Sequence, residues 1–196
     1  MKSVKELPDH YVACRTMDFR TKIALVLGLN LVGIVLFFGS GWFFLWLALA
    51  IRPHLVSAEN FNLDRPFALW LIVAGILVFI FHELIHGLFF WIYTRERPSF
   101  GLTSSFAYAA APRWYLPRNL YLVTGLAPLL GISLLGCASF FVVPVSILFI
   151  FLFSMALNAG GAVGDIYLCS LLVGLPRDAL VQDTGPTITV YRREHL

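Results

Sequence analysis

Phe79-Ile80-Phe81-His82-Glu83-Leu84-Ile85-His86-Gly87-Leu88-Phe89-Phe90 sets a His-Glu-x-x-His motif inside a run that otherwise reads as lipid-facing helix. Two histidines four residues apart stand one turn apart on one helix face. A glutamate directly after the first is the arrangement that binds zinc through the imidazoles and supplies a general base beside it. Ionisable groups at membrane depth cost about 2.5–3.5 kcal/mol each on insertion scales and are kept mainly for function. The motif therefore weighs towards a metal site rather than towards two satisfied core histidines.

The surrounding composition agrees with a membrane setting. Of 196 residues, 59% are hydrophobic and 13% charged, with a mean hydropathy of +0.83, too apolar and charge-poor for a water-soluble domain of this size. No linker, low-complexity tract or repeat divides the chain, so residues 1–196 read as a single membrane-embedded domain. The three cysteines, Cys14, Cys137 and Cys169, are odd in number and unpaired in spacing, which suggests neither a disulfide framework nor a thiolate metal site.

Outward from the motif, the sequence predicts an all-α membrane protein of four transmembrane helices, over about 23–51, 67–94, 120–141 and 147–174. Each run is long enough for the roughly 20 residues that cross a bilayer. The first is too long for a signal-peptide core of about 7–15 residues and reads as a retained anchor. Pro144 favours the break between the last two. Between the second and third spans, Thr103 to Ala111 looks strand-like among Pro98, Pro112 and Pro117 and predicts a short extended or hairpin loop. The tail run Thr187-Ile188-Thr189-Val190-Tyr191 predicts a small strand or arm.

Lys and Arg set the orientation. Twelve of the fourteen lie in the lead-in, in the Arg95–Asn119 loop and in the tail, against Arg52 and Arg65 on the other side. That bias puts both termini and the loop in the cytoplasm. The expected location is a multi-pass protein of a bacterial cytoplasmic membrane. The second and fourth spans then run in the same direction.

His82 lies twelve residues before Thr94, and Asp165 nine before Gly174, so at 1.5 Å per residue both sit roughly 14–18 Å below the cytoplasmic surface. Catalytic zinc commonly takes three protein ligands and a water. His82 and His86 supply two, and Asp165 is the natural third, with Glu83 as general base. Gly160 and Gly164 form a small-x-x-x-small pair that should let the second and fourth spans approach. Asn158 and Asp165 share a face, which makes Asn158 a candidate for binding substrate, and Tyr108 is a second candidate. The loop around Ser105 to Ala109 could pair with an extended substrate as an added strand. Should Asp165 not be the ligand, Glu96, Asp178 and Asp183 are the remaining carboxylates.

These residues carry a resemblance. His-Glu-x-x-His on one span with an Asn…Asp face on a later one resembles the site-2 protease class of intramembrane zinc metallopeptidases. More closely, the layout resembles a bacterial domain-of-unknown-function family of zincin peptidases. It does so through His82-Glu83-Leu84-Ile85-His86, the Phe106-Ala107-Tyr108 region, Asn158 through Gly164-Asp165, and the tail containing Asp183. The likeness covers about the last two thirds of the chain. It implies zinc held by His82, His86 and Asp165, Glu83 as base, and cleavage of membrane or membrane-proximal proteins. Site-2 proteases usually carry prolines between the Asn and Asp and a Gly after the Asp; here there are none, and Ile166 follows Asp165.

Other classes fit less well. Asp183-Thr184-Gly185 copies the aspartic-protease tripeptide but lacks a facing carboxylate and reads as a turn. No basic aromatic patch suggests nucleic acid. His10, His54 and His195 fall in polar segments and read as solvated. Two alternatives keep the metal: a non-catalytic metal-binding membrane scaffold, and a metal or ion carrier for which a homodimer would supply the missing helices.

Overall fold

The computed structural model describes residues 2–53, 65–103 and 106–194. His54, Ser105 and His195 lie outside the described residues, as does most of the connection between the first two helices. Helices dominate: α1 (Ile23–Ile51), α2 (Arg65–Thr94), α3 (Arg118–Val142), α4 (Val145–Gly161) and α5 (Val163–Val173). The expected all-α class is corrected by six strands, β1 (Tyr11–Asp18), β2 (Ser99–Leu102), β3 (Ala107–Ala110), β4 (Tyr115–Pro117), β5 (Leu180–Asp183) and β6 (Thr187–Arg193).

Among the described residues, three helices, α1, α2 and α3, are long and apolar enough to cross a membrane. The α4–α5 pair is a fourth candidate, bent by 46° at the single intervening residue, Ala162. Their surfaces are inverted relative to a water-soluble bundle. Along α1, Leu31, Val35, Phe38, Trp42 and Trp46 all face outward, Trp42 with 75% of its surface exposed. Apolar surface on that scale is stable against lipid and is a liability in water.

Local signals account for the helix ends. Thr94 turns its hydroxyl back to the Phe90 carbonyl, and Arg95 follows in the left-handed region with φ 58. A left-handed residue just past the last turn is a standard helix stop. Arg95 also lies over the Trp91 ring, 5.9 Å from its centroid. Pro144 precedes α4 with extended ψ, a position where a missing N–H costs the helix nothing. Ala162 ends α4, its N–H bonded to the Asn158 carbonyl at 2.9 Å, before α5 begins with Val163.

The chain's contacts gather into two compact units. The first holds residues 1–29, 83–127 and 164–196, and with them all twelve of the Lys and Arg assigned to one side of the membrane. Its larger sheet has the order β1-β6-β5-β4 and is antiparallel throughout. β1 pairs with β6 from Tyr11↔Arg193 to Asp18↔Thr187, with a bulge at Cys14. One face of this sheet, through Met17, Leu116, Val181, Ile188 and Val190, packs on Phe90, Tyr121, Leu168 and Leu172 from the helix ends. β2 and β3 form a separate hairpin, Ser99↔Ala110 to Leu102↔Ala107.

That hairpin is fitted to the helix that carries the motif. A Cβ on Gly87 would lie 2.4 Å from the tip of the Phe100 ring, so glycine after His86 lets that ring of β2 lie directly on the helix. The β5–β6 turn carries Gly185 in the left-handed region, with φ 90, where glycine is required.

The second unit holds residues 30–82 and 128–163. Its packed centre comprises Phe44, Ala48, Phe140, Leu148, Leu152 and Met155. Gly33 of α1 and Gly160 of α4 meet backbone to backbone: a Cβ on either would lie 2.8 Å from the other's carbonyl oxygen. Here the small-residue expectation changes partner. Gly160 serves the first span rather than the second, while Gly161 and Gly164 have no atom where a Cβ would contact it.

Candidate metal centre

His82, Glu83 and His86 all stand on α2, where the helical rise puts the two imidazoles one turn apart on a shared face. Both histidines are buried, at 9% and 8% exposure, within a helix whose neighbours Phe81, Leu84 and Leu88 face outward. Asp165 is in the first turn of α5. Its Oδ1 lies 3.5 Å from His86 Nε2. One donor atom from each of His82, His86 and Asp165 lies within 4.8 Å of the others.

Hydrogen bonds fix the chemistry of both rings. His86 Nδ1 is 2.9 Å from the Thr124 carbonyl oxygen. A carbonyl only accepts, so Nδ1 carries the proton and Nε2 holds the lone pair of the neutral ring. His82 Nδ1 is 3.0 Å from Asn158 Oδ1. The amide's orientation follows from its other end, where Nδ2 is 3.3 Å from the Pro128 carbonyl and 3.4 Å from that of Leu129. Two acceptors there require the NH2 group, which turns Oδ1 to His82 and makes its Nε2 the metal-binding nitrogen too.

Metal-bound histidines nearly always donate their second N–H in this way, which sets the tautomer and raises ligand basicity. Two imidazole nitrogens and a carboxylate oxygen suit borderline-soft zinc, whereas calcium and magnesium take oxygen alone. The donor set therefore fits zinc.

Asn158 is 1% exposed, and its polar atoms face His82 and two backbone carbonyls. Its geometry is that of a group orienting a ligand. The Tyr108 ring lies where a Cβ on Gly101 or on Gly185 would be.

The reserve carboxylates are also placed elsewhere. Glu96 pairs with Lys5 and Arg113 and accepts from the Trp114 indole at 3.0 Å. The Lys5 partnership, followed by the indole hydrogen bond, holds its carboxyl below the usual range. Asp178 lines a surface pocket with Cys14, Arg15, Arg192 and Arg193.

Asp183 forms the expected turn, its Oδ1 accepting from the Gly185 N–H at 2.7 Å. Beyond that expectation, the carboxyl is buried, and its Oδ2 accepts from the Tyr121 hydroxyl at 2.6 Å. Burial pushes its pKa up to about 6, against the opposing pull of the Tyr121 and Gly185 hydrogen bonds. The pair ties β5 to α3 one turn before Thr124.

Nothing among curated proteins and nothing among solved structures matches the chain significantly. One family model does, over residues 75–180, from the helix carrying His82 through Asp165 to the start of β5, and its description is "Putative zincin peptidase". The match takes in more than half of the chain and the whole donor set, so the protein belongs to this family of zincin peptidases.

Proposed function

We propose that the protein is a membrane-embedded zinc metallopeptidase, of site-2-protease-like type, that hydrolyses peptide bonds in membrane or membrane-proximal proteins. The observation that carries this reading is the convergence of two tautomer-fixed histidines on Asp165, beside Glu83, within an apolar helix. His82, His86 and Asp165 would hold the ion. Zinc bound there supplies Lewis acidity, lowering the pKa of a water towards about 7 and polarising a carbonyl.

The chain's own residues do the rest. Glu83 adjoins His82 in sequence and is half-buried; as general base it takes a proton from the attacking water and delivers it to the departing amine. Asp165 offers a carboxylate to the same centre. The β2–β3 hairpin, seated on Gly87 just past the motif, is the element suited to hold an extended peptide by strand addition. With both termini cytoplasmic, as the arginine and lysine distribution favours, substrate enters from the membrane or the cytoplasm.

Glu83→Gln tests the mechanism. Turnover of a cleavable membrane substrate should fall by at least a hundredfold while bound zinc is kept. Unchanged cleavage contradicts the role of Glu83, and zinc binding without cleavage of any membrane substrate would favour the non-catalytic scaffold.

A further inference from the structure

One turn of α3 serves both histidines. The helix contains a proline in its interior, Pro128. In an unbroken α-helix the N–H of residue 128 would bond to the carbonyl of residue 124. Proline has no N–H, and its ring crowds the carbonyl four residues before it. The carbonyl so released is the one that accepts His86 Nδ1–H, at 2.9 Å. A proline at any other position in α3 would release a different carbonyl. Thr124 is 1% exposed, so water does not compete for that oxygen.

The same turn supports the other ring. The Pro128 and Leu129 carbonyls receive the Asn158 amide, which directs Oδ1 to His82 Nδ1. We infer that Pro128 is a positioning residue of the metal centre. By withholding one backbone N–H it dedicates the Thr124 carbonyl to His86, holding that ring as the Nδ1–H tautomer with Nε2 turned to the metal. This inference rests on the zinc-site reading of His82, His86 and Asp165, but not on proteolysis.

Pro128→Ala restores the N–H and removes the ring that crowds the Thr124 carbonyl, so that oxygen turns back along the helix towards residue 128 and away from His86. The test uses the full chain in detergent. In metal-free protein, at a pH alkaline enough to keep the ring neutral beside Asp165, the 15N resonances of the His86 ring, assigned with a His86→Gln spectrum, should show a single Nδ1–H tautomer in the wild type and a tautomer mixture in Pro128→Ala. Zinc affinity, read by chelator competition, should fall about 10- to 100-fold, the range for loss of a ligand's hydrogen-bond partner.

The melting temperature of metal-free Pro128→Ala should match or exceed that of the wild type, because alanine suits a helix interior better than proline. Loss of a merely structural proline would not produce that combination. Pro128→Ser, which restores the same N–H, gives the test a second variant should the alanine chain misfold. An unchanged His86 tautomer and a zinc affinity within twofold of wild type, in either folded variant, overturn the inference. A wild type that holds the tautomer and zinc yet cleaves nothing overturns only the peptidase reading.

Discussion

Asn158→Leu separates two roles for a residue at the centre of the site. Leucine keeps the Cγ branching of asparagine, though it is bulkier, and offers His82 no acceptor. In wild type, Asn158 is 1% exposed and its amide satisfies three groups: His82 Nδ1 at 3.0 Å, and the Pro128 and Leu129 carbonyls at 3.3 and 3.4 Å. A buried donor left without a partner costs about 1–3 kcal/mol. Removal of a metal ligand's hydrogen-bond partner typically weakens metal binding by about 10- to 100-fold, or roughly 1.4–2.7 kcal/mol. Chelator competition on purified Asn158→Leu should therefore show zinc affinity reduced at least tenfold. Ser154→Ala is the control, since that hydroxyl bonds to the Ile150 carbonyl of its own helix, at 2.7 Å; its affinity should stay within twofold. If Asn158 instead binds substrate, Asn158→Leu will keep full zinc affinity and raise KM. That result would refute the ligand-orienting role.

Three further outcomes are expected. The folded-state pKa of Asp183, about 6 against an ordinary 3.8, means that the folded chain keeps a proton over a range where the unfolded chain has lost it. Stability of the metal-free protein should thus fall as pH rises from about 4 to about 6, by about 3 kcal/mol, and then level off; thermal melts should show Asp183→Asn flattening that slope, and an unchanged slope would remove Asp183 as its source. Gly33→Ala puts a Cβ 2.8 Å from the Gly160 carbonyl, whereas Gly28 has open space. In melts, Gly33→Ala should lose about 1–3 kcal/mol through overpacking and Gly28→Ala should be neutral or gain up to about 1 kcal/mol; equal effects would contradict the backbone approach. Gly87→Val would displace the Phe100 ring from the helix, and KM for a peptide substrate should rise with zinc retained if the hairpin holds the peptide; an unchanged KM would count against the hairpin as the substrate-holding element.

The elements legible in the sequence are those whose physics is local. Charge-free runs mark the spans, and α1 falls on residues 23–51 as expected. The strand-like Thr103–Ala111 and Thr187–Tyr191 segments hold β3 and lie in β6. β1 was not legible, because Tyr11–Asp18 is an edge strand with five of its eight residues exposed and Met17 as its one buried residue, and Arg15 and Asp18 interrupt any alternation of apolar and polar residues. Nor was the bend at Ala162, where no proline breaks the run and Gly160, Gly161 and Gly164 read equally well as helix-packing positions. His82, Glu83 and His86 declare themselves because chemistry requires side chains at a fixed spacing. The Thr124 carbonyl cannot, since every residue has one. Its signal is indirect and sits four positions downstream, in the helix-interior Pro128.

The most direct test of the central claim, that His82, His86 and Asp165 form one zinc site, is the metal content of the purified chain. The wild type should retain about one zinc per chain, with His82→Ala and Asp165→Ala each losing most of it at equal protein concentration. An Asp165→Ala protein that is folded and still holds a full equivalent of zinc would contradict the account.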